Sequence, residues 1–451
     1  MRSIVARAVS IGVVGVLIHL CAAPVAHSQA RQDDTAELKP GVVLDQNNSQ
    51  LAKDLLPPEI LKHYQTGDYK NRIVEYPTGN AHWEKAFSEA TQTNTATLDV
   101  NDRGTIVYRA TGQPLPYVYG LPFPTVNATD PKAAVKIVWN QFLAYWAGGS
   151  SYNRTLVTLL NRTGVDRDIV ANGWFHFLDG QDVKYREPNP MNLQSQFLGV
   201  VQTPADLQGT ASLTWRYRDA DKHDSVWAFV PALRRVRAVS PANRSDGYLG
   251  SDFSGDDGFF FDGKPEDFEW KLVGQREGLR IVDPNTLNGP VPTTPAPGGG
   301  WVVLTDLNPP TVGYRTPNWS GAPWAPTDAA LAKRSFWIVD GIPRDKYYLY
   351  GKLQLWIDAE TWDGAWSRKF DWTGELIGAS QFIARVNSPV GPPDAQEWLP
   401  IGTMVWACAE NVKHNRATLG GMRPDPKAAS YRRMPLEANL FDSTALQRFG
   451  K

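Results

Sequence analysis

The stretch from Leu213 to Trp270 constrains the fold more than any other part of the chain. Apolar residues alternate there with Arg, Thr and Ser, as the series Leu213, Trp215 and Tyr217 illustrates. Because successive side chains of a β-strand point to opposite faces, each such strand has one apolar face and one polar face. The pattern predicts a sheet built around an apolar interior, and the functional question is whether that interior also holds a guest molecule.

The chain begins MRSIVARAVSIGVVGVLIHLCAAPVAHSQA, with Arg2 and Arg7 ahead of an apolar run and small residues near Ser28. This arrangement is typical of a secretory signal peptide, and we predict cleavage after Ser28. The apolar run of about ten residues is shorter than the roughly twenty that a membrane-spanning helix needs. Leu20, rather than a small residue, precedes Cys21, so we expect an exported protein without a lipid anchor.

Charge and cysteine content exclude some classes of protein. Lys and Arg total 46 against 47 acidic residues, so the net charge does not indicate a nucleic-acid partner. If Cys21 leaves with the signal peptide, Cys408 is the remaining thiol and no intramolecular disulfide can form. Cys408 lies among apolar residues of a predicted strand, and we interpret it as part of the core rather than as a nucleophile.

Helical patterns occur in the first third of the chain. Residues 51–64 form an amphipathic pattern that Pro57 and Pro58 interrupt, and residues 80–92 are a second candidate. A third helix is predicted to begin after Asp130, which caps it, and to end at the glycines of positions 148 and 149. Its apolar residues recur at helical spacing and should form one buried face: Val135, Val138, Trp139, Phe142 and Trp146.

Strand patterns dominate from residue 196 onward, and the short polar connections between many of them favour antiparallel neighbours. Two Pro- and Gly-rich stretches, residues 284–300 and 308–326, are predicted to be ordered loops that gate a cavity. The sequence predicts an α+β fold: one large curved antiparallel sheet, a half-barrel with helices packed on its concave side. The predicted strands are 196–202, 211–218, 225–231, 234–240, 269–282, 335–340, 347–358, 365–372, 375–386 and 402–410.

Four long motifs carry a resemblance to a known family: GLPFPTVNATDPKAAVKIVWN, WAFVPALRRVRAV, GSDFSGDDGFFFDGKPEDFEWKLVGQRE and LQLWIDAETWDGAWSRKFDWTGEL. They resemble the domain-of-unknown-function 1329 family of exported bacterial proteins, which is similar to the LolA and LolB lipoprotein carriers. The resemblance covers about residues 38–415. It implies a half-barrel sheet around a hydrophobic cavity, in the periplasm or at the outer membrane. It also implies a resistance-nodulation-division-type envelope transporter as a partner, and it supplies no catalytic residues.

Aromatic and aliphatic residues of the predicted strands are the candidates for the wall of that cavity. A curved sheet with an apolar concave face can leave room for a lipid or another apolar ligand. Any single aromatic residue could equally be ordinary core, and a register shift of one residue would exchange the two faces. The predicted ligand-binding residues are Trp215, Tyr217, Trp227, Phe229, Phe259, Phe261, Trp337, Tyr348, Leu353 and Leu355.

A group of arginines alternates with those apolar positions. Such a group is typical of a solvated outer face, paired here with Asp219, Asp221 and Asp224. A second interpretation is contact with anionic lipid headgroups or with an acidic transporter partner. The predicted contact residues are Arg216, Arg218, Arg234 and Arg235.

Two acidic groups support alternative chemistries. The run Asp252, Asp256, Asp257, Asp262, Glu266 and Asp267 could hold calcium, although its spacing does not match a helix-loop-helix calcium site and is typical of turns. Asp358, Glu360, Asp363 and Asp371 could supply two carboxylates for sugar hydrolysis, with sugar rings stacking on Trp356, Trp362, Trp366 and Trp372. Carboxylates beside hairpin turns are common, so neither group identifies an enzyme.

These observations divide the chain into a signal peptide over residues 1–28, a helical and extended segment over 29–100 that packs on the sheet, and a LolA/LolB-like sheet domain over 101–451. The predicted function is a periplasmic, non-catalytic carrier or chaperone for lipids, lipoprotein acyl chains or other apolar molecules, with peripheral contact to the outer membrane. No cofactor or metal is predicted. Two alternatives stay open: a periplasmic carbohydrate-active hydrolase, and a cargo-free module that docks on an envelope transporter.

Overall fold

The computed structural model describes residues 37–76, 83–283, 293–303, 311–385, 389–390, 397–398, 403–422 and 430–450. The predicted signal peptide and Cys21 lie outside these residues, as do parts of both Pro- and Gly-rich stretches. Leu38–Lys451 forms one compact unit.

Strands are the main elements of the described residues, as the alternating pattern predicts. The helices are α1 (Pro58–Gln65), α2 (Lys85–Thr97) and α3 (Ala133–Trp146). The first strands are β1 (Val43–Leu44), β2 (Asn71–Val74), β3 (Leu98–Val100), β4 (Ile106–Tyr108), β5 (Ser151–Asn161), β6 (Gly164–Phe177), β7 (Leu193–Thr203), β8 (Ala211–Tyr217), β9 (Ser225–Val230), β10 (Arg235–Val239) and β11 (Phe268–Val282). The others are β12 (Thr293–Pro295), β13 (Trp301–Val303), β14 (Ala330–Pro343), β15 (Lys352–Asp358), β16 (Gly364–Phe370), β17 (Leu376–Arg385), β18 (Pro389–Val390), β19 (Glu397–Trp398), β20 (Thr403–Asn411), β21 (Arg416–Met422) and β22 (Ser430–Arg432).

Eighteen of the described strands belong to one open sheet. Its main ladder is antiparallel throughout and runs β10–β9–β8–β7–β6–β5–β21–β20–β17–β16–β15–β14–β11. One pair departs from the pattern, because β2 runs parallel to β14 and pairs Arg72 with Ala330. The predicted large antiparallel sheet with helices is confirmed, with that one parallel pair added.

One face of the sheet, which we call the inner face, packs against α2 and α3. Trp337 and Val339 of β14 and Leu355 of β15 point to this face. They share a buried cluster with Phe87 of α2 and Phe142 of α3. Because side chains alternate along a strand, the residues between them must point to the opposite face.

The opposite face, which we call the outer face, packs against α1 and against residues 311–329. Ile338 and Trp356 lie between the inner-face residues in sequence and join Tyr64 of α1 and Trp324 in a second buried cluster. The helices therefore divide between the two faces of the sheet. The predicted N-terminal segment, residues 29–100, therefore contacts both faces of the sheet, since it supplies both α1 and α2.

The C-terminal segment covers the outer face of β7, β8 and β9. Leu198, Leu213 and Phe229 form a buried cluster there with Phe441 and Leu446. The last two residues belong to two short 3-10 helices over residues 438–441 and 443–450. This end of the sheet is thus closed on its outer side by the chain itself.

The predicted helices are present with shifted ends. Pro58 is the first residue of α1, which confirms the break at the two prolines, and α2 ends at Thr97 rather than at residue 92. The Asp130 side chain accepts a hydrogen bond from the Lys132 backbone at 2.8 Å, just before α3 begins. No helix in the described ranges is long and apolar enough to cross a bilayer. The predicted face of α3 is confirmed as buried: Val135, Val138, Trp139, Phe142 and Trp146.

All ten predicted strands are present in the sheet, most of them with ends displaced by a few residues. Several strands were not predicted, and three of these, β5, β6 and β21, lie side by side in the middle of the ladder. These three strands carry the residues that matter most for the candidate site.

Candidate apolar ligand-binding cavity

An open cavity of about 250 Å³ lies against the inner face of β5, β6, β7, β20 and β21. Its wall is mostly apolar, and residues 248–262 form the side that faces the sheet. The described residues that line it are Asn153, Arg154, Thr155, Val157, Ala171, Asn172, Gly173, Phe175, Phe197, Gly199, Tyr248, Phe253, Ser254, Gly255, Asp257, Gly258, Phe259, Asp262, Met404, Val405, Ala407, Gly420, Gly421, Ser430 and Arg432. An apolar space with a few polar groups is the usual form of a small-molecule site.

Strand register fixes the face on which the cavity lies. Thr155 and Val157 line it, whereas Leu156, between them, belongs to the outer-face cluster. Phe197 and Gly199 line it likewise, whereas Leu198 belongs to the cluster under the C-terminal segment. The cavity is therefore an inner-face feature, on the same side of the sheet as α3.

Small residues at adjacent strand positions make the room. Gly173, Gly199 and Gly420 lie on β6, β7 and β21, and Ala171 and Ala407 lie beside them. A Cβ atom added at Gly199 would come within 3.1 Å of the Phe197 ring, so these glycines let aromatic rings lie flat against the sheet. Glycine inside a strand weakens it and marks a place where another group approaches closely. Here the approaching groups are aromatic rings and the space that they enclose.

Ion pairs and side-chain hydrogen bonds hold residues 248–262, the wall that faces the sheet, in position. Asp256 accepts a hydrogen bond from Arg244 Nε at 2.6 Å and another from the Tyr348 hydroxyl at 2.9 Å. Asp257 pairs with Lys369 and accepts a hydrogen bond from the Ser254 backbone. Cations of the same chain therefore match the carboxylates of Asp256 and Asp257, which do not need calcium to balance their charge.

The calcium interpretation of the acidic run also depends on how its side chains are grouped in space. In the part of the chain that the structure covers, no group of three or more His, Cys, Asp or Glu side chains is placed to hold a metal ion. Asp252, the first residue of the acidic run, pairs with Arg416 and accepts a hydrogen bond from Thr418. Asp252 is therefore held by partners of the same chain, as Asp256 and Asp257 are.

Four charged residues line the cavity, and two of them have partners. Asp257 pairs with Lys369, and Asp262 pairs with Arg216 at 3.1 Å. Arg154 is exposed, whereas Arg432 is 4% exposed. Within the described residues, neither of these two arginines makes an ion pair, so no described carboxylate balances their positive charge.

The structure places Phe259 on the wall of the cavity, as one of the ten predicted ligand-binding residues. Its ring stacks on Tyr145 of α3 with 4.0 Å between ring centroids. It also meets Phe175 of β6 with a centroid distance of 4.4 Å. Phe259 thus connects α3 to the sheet across one end of the cavity.

Four predicted residues lie on the outer face instead. Trp215, Trp227 and Phe229 belong to the cluster under the C-terminal segment, and Trp215 donates a hydrogen bond from Nε1 to the Phe441 carbonyl at 2.9 Å. Tyr217 is buried on the same strand, two residues after Trp215. The sequence pattern groups these residues correctly on one face, but that face is not the one with the cavity.

The other five lie on the inner face but in its packed part. Phe261 makes an edge contact with Phe142 of α3 at a centroid distance of 5.9 Å. All five belong to the buried cluster beneath α2 and α3, and none of them lines the cavity: Phe261, Trp337, Tyr348, Leu353 and Leu355.

The predicted headgroup residues divide into two pairs. Arg216 and Arg218 are 2% and 7% exposed, so the prediction of a solvated face is wrong for them. Arg216 pairs with Asp224 at 3.1 Å and also with Asp262, and Arg218 pairs with Asp179. Their role is to bind segments of the protein together. Arg234 and Arg235 are exposed at the turn between β9 and β10, and there the prediction of a surface contact stays a prediction.

The carboxylates considered for hydrolysis have structural partners. Asp358 is fully buried and accepts hydrogen bonds from Arg334 Nε at 2.8 Å and Arg280 Nη1 at 3.1 Å. Burial alone would raise the pKa of Asp358, but these two arginines hold it below its usual range. Burial raises the pKa of Asp363 to about 7. Asp371 is partly exposed and accepts hydrogen bonds from its own hairpin turn.

Two further predictions concern Cys408 and the loops. Cys408 is fully buried in the outer-face cluster, as predicted, and burial raises the pKa of its thiol. Val312 and Trp324 of the second Pro- and Gly-rich stretch are buried in that same cluster, so the prediction of a gate is wrong for residues 311–326. In the first stretch, residues 284–292 lie outside the described residues, and residues 293–295 form β12.

The fold and the cavity together define a protein with a large open sheet and an apolar pocket on one face. Residues 43–447 match the family described as a protein of unknown function, DUF1329, and the chain belongs to this family. A search of curated proteins finds no match. The family assignment thus agrees with the resemblance in the sequence and leaves the function open.

Solved structures include distant relatives of this fold. A domain from Vibrio parahaemolyticus, named for outer membrane lipoprotein sorting, has 16% sequence identity and a TM-score of 0.45, over 71% of this chain and 100% of that one. A DUF1329 family protein from Desulfovibrio piger has 15% identity and a TM-score of 0.43, over 70% and 100%. A LolA superfamily protein from Nitrosomonas europaea has 11% identity and a TM-score of 0.40, over 68% and 97%.

Proposed function

We propose that this protein is a non-catalytic carrier that holds an apolar molecule, such as an acyl chain, in the inner-face cavity. The observation that carries the proposal is the cavity itself, about 250 Å³ with a mostly apolar wall. Apolar cavities of about 150 Å³ already accept a benzene-sized molecule, so this one has room for an aromatic ring or part of an acyl chain. The glycines and alanines of neighbouring strands keep that space open.

Transfer of apolar surface from water supplies the driving force. Each methylene that leaves water stabilises the complex by about 0.8 kcal/mol, whereas exchange from a membrane is closer to balance. A carrier needs this property, because the cargo must leave as well as enter. Phe175, Phe197 and Phe259 supply the rings that would contact such a cargo.

Two larger depressions on the surface fit this role less well. One, of about 290 Å³, includes Asp252, Lys369 and Glu410 in its wall. The other, of about 610 Å³, includes Arg186 and Glu187. Among the described residues, neither depression has a phenylalanine in its wall, whereas the inner-face cavity has four and so offers an acyl chain more apolar contact.

The signal-peptide pattern places this activity in the bacterial envelope, with the periplasm as the proposed compartment. A transporter partner remains part of the proposal, and the exposed Arg234 and Arg235 are the surface residues that we assign to it. The two other predicted functions gain less support. A cargo-free docking module needs no cavity, and the candidate hydrolytic carboxylate Asp358 is neutralised by two arginines.

Binding of a neutral fluorescent probe tests the proposal. N-phenyl-1-naphthylamine should bind the wild-type protein with enhanced fluorescence, and long-chain alcohols should displace it. Ala171→Leu fills the cavity and should weaken probe binding at least about tenfold, since the added carbons occupy the ligand's space. Ala238→Leu, at an exposed position of the edge strand β10, is the matched control and should bind like wild type. Absence of probe binding by the wild type, or equal binding by Ala171→Leu, contradicts the proposal.

A further inference from the structure

Within the part of the chain that the structure describes, the cavity wall contains a buried charged side chain without a counter-charge. Arg432, in the short strand β22, is 4% exposed and lines the cavity. Its neighbour in sequence, Arg433, is also buried but forms an ion pair with Glu84 at 2.6 Å. Among the described residues, no carboxylate pairs with Arg432. A buried charge is costly unless it is paired, so an unpaired arginine at a cavity wall indicates a missing partner.

Strand pairing places Arg432 on the side of the sheet where the cavity lies. Arg432 pairs with Ser151 of β5, and Asn153 and Thr155 follow Ser151 on the same face of that strand. Both of these residues line the cavity. The guanidinium is therefore an inner-face group at the β22 end of the apolar wall.

A second polar group lies beside it. The Tyr145 hydroxyl is buried and makes no well-aligned hydrogen bond within the described residues, although the Arg432 side chain is near enough to act on it as a donor. Burial raises the pKa of Tyr145, and the nearby Arg432 guanidinium opposes that rise. The Tyr145 ring stacks on Phe259, which lines the cavity. A hydroxyl donor and a guanidinium thus converge at the end of an apolar space.

The acidic residues of the lining do not fill this role. Asp257 and Asp262 are matched by Lys369 and Arg216, which approach from outside the cavity. An arginine presents several N–H donors in a planar fork that fits a carboxylate or a phosphate with two hydrogen bonds. The unmatched guanidinium is therefore suited to an anionic group on the cargo.

We propose that the cargo is an amphiphile with an anionic headgroup, a carboxylate or a phosphate, which binds Arg432 while its apolar chain lies along Phe175, Phe197 and Phe259. This inference rests on the proposed carrier function and adds the class of cargo and its orientation. Tyr145 donates a hydrogen bond to the same headgroup. Arg432 is then the residue that distinguishes an anionic amphiphile from a neutral one.

Displacement of the neutral probe by dodecanoate, dodecyl phosphate and dodecanol, each below its micellar concentration, tests the inference. The three ligands share one chain and differ in their headgroups. A charge-assisted hydrogen bond contributes about 1.5–3 kcal/mol, so the wild-type protein should prefer at least one anionic ligand over dodecanol by roughly tenfold to a hundredfold. The stronger of the two anions identifies the headgroup as carboxylate or phosphate.

The variant Arg432→Gln should lose that preference while it retains dodecanol affinity within about twofold, and Arg432→Lys should restore part of it. Arg237→Gln removes the same charge from an exposed site on β10 to which no binding role is assigned, and it should behave like wild type. If all three ligands bind wild type equally, or if Arg432→Gln keeps the preference, the inference is overturned and the carrier function stands. If none of them displaces the probe and the probe itself does not bind, the carrier function fails. The wild-type comparison of ligands applies even if Arg432→Gln does not fold.

Discussion

Two regions of the inner face have similar apolar residues and opposite packing. In the filled region, β14 and β15 lie beneath α3 and residues 259–268, and side chains of these elements form a buried cluster. In the open region, β6 and β7 carry aromatic rings as well, but the space between the sheet and residues 248–262 is a cavity. Consecutive residues Phe259 and Phe260 point into the two regions, one onto the cavity wall and one into the core.

Glycine shows how the difference arises. In the filled region, the Phe260 ring occupies the place of a side chain at Gly364, since an added Cβ there would lie 1.9 Å from the ring. In the open region, Gly173 and Gly199 border the cavity, and the atoms nearest to an added Cβ belong to the rings of Phe175 and Phe197. The same residue type therefore makes room for the protein in one region and for a guest in the other.

The largest expected difference between the regions is in the pair of adjacent phenylalanines. Phe260→Ala removes a ring that is 1% exposed and should lower the free energy of unfolding by about 3–5 kcal/mol. Phe259→Ala, in the partly exposed wall, should cost about 1 kcal/mol and should weaken binding of the neutral probe instead. Urea unfolding and probe titration on both variants measure the contrast. Equal losses of stability would remove the distinction between the regions.

A histidine on the outer face should make the stability of the protein depend on pH, whereas ligand binding in the cavity should not depend on pH. His63 of α1 contacts Glu410 at 2.6 Å and Asp68 at 3.3 Å. Burial alone would lower the pKa of His63, but these two carboxylates raise it from 6.5 to about 9. The raised pKa means that the contribution of His63 to stability is complete below about pH 6.5 and is lost as the pH rises through about 9.

Unfolding free energies measured across that window should therefore fall by up to about 3 kcal/mol in the wild type. His63→Gln should be less stable at the lower pH and should lose most of this dependence. Probe affinity in the native protein should stay constant over the same window. A wild-type stability that rises across the window would contradict the assignment of a charged His63 in the folded state.

Substitution of one glycine in each region, Gly364 and Gly173, should give a smaller difference in stability. Gly364→Ala forces the Phe260 ring to move and should cost about 1–3 kcal/mol of stability. Gly173→Ala places a Cβ atom 3.3 Å from the edge of the Phe175 ring, which can shift into the cavity, and should cost at most about 1 kcal/mol. Thermal unfolding of both variants measures the difference. A cost at Gly173 as large as at Gly364 would mean that the open region is as tightly packed as the filled one.

The smallest expected effect is on binding after Trp215→Ala. The outer-face location of Trp215, beneath the C-terminal segment, predicts probe affinity within about twofold of wild type. The sequence pattern alone predicts a loss of affinity for the same variant, because it assigns Trp215 to the ligand. A probe titration decides between them, and a large loss of affinity with an unchanged fold would favour the original assignment.

The alternation of strands could be predicted from the sequence, and so could the buried face of α3, because both depend on local periodicity. The face of β8 that meets the cavity could not be predicted from the sequence. Alternation groups Trp215 with Leu213 on one face, but it does not indicate which part of the chain covers that face. That depends on the C-terminal segment, more than 200 residues away, as the hydrogen bond between Trp215 and Phe441 over 226 positions illustrates.

The cavity-lining strands β5, β6 and β21 lacked a strong apolar alternation and were not predicted. The usable signal in β6 and β21 was a glycine inside the strand, at positions 173 and 420, which indicates a close approach of another group. Nothing in the sequence distinguishes Arg432 from its neighbour Arg433 as a ligand-binding residue. The chain distinguishes the two arginines only in three dimensions, where Glu84 reaches one of them and an apolar space meets the other.

A crystal structure with ω-brominated dodecanoic acid tests the central claim most directly, because bromine reveals the chain end by anomalous scattering. We expect a bromine peak inside the cavity between Phe197 and Phe259, with the carboxylate of the bound fatty acid at Arg432. A cavity filled by the protein's own side chains, or a bromine peak confined to the protein surface, would contradict the claim that the open region of the inner face holds an apolar cargo.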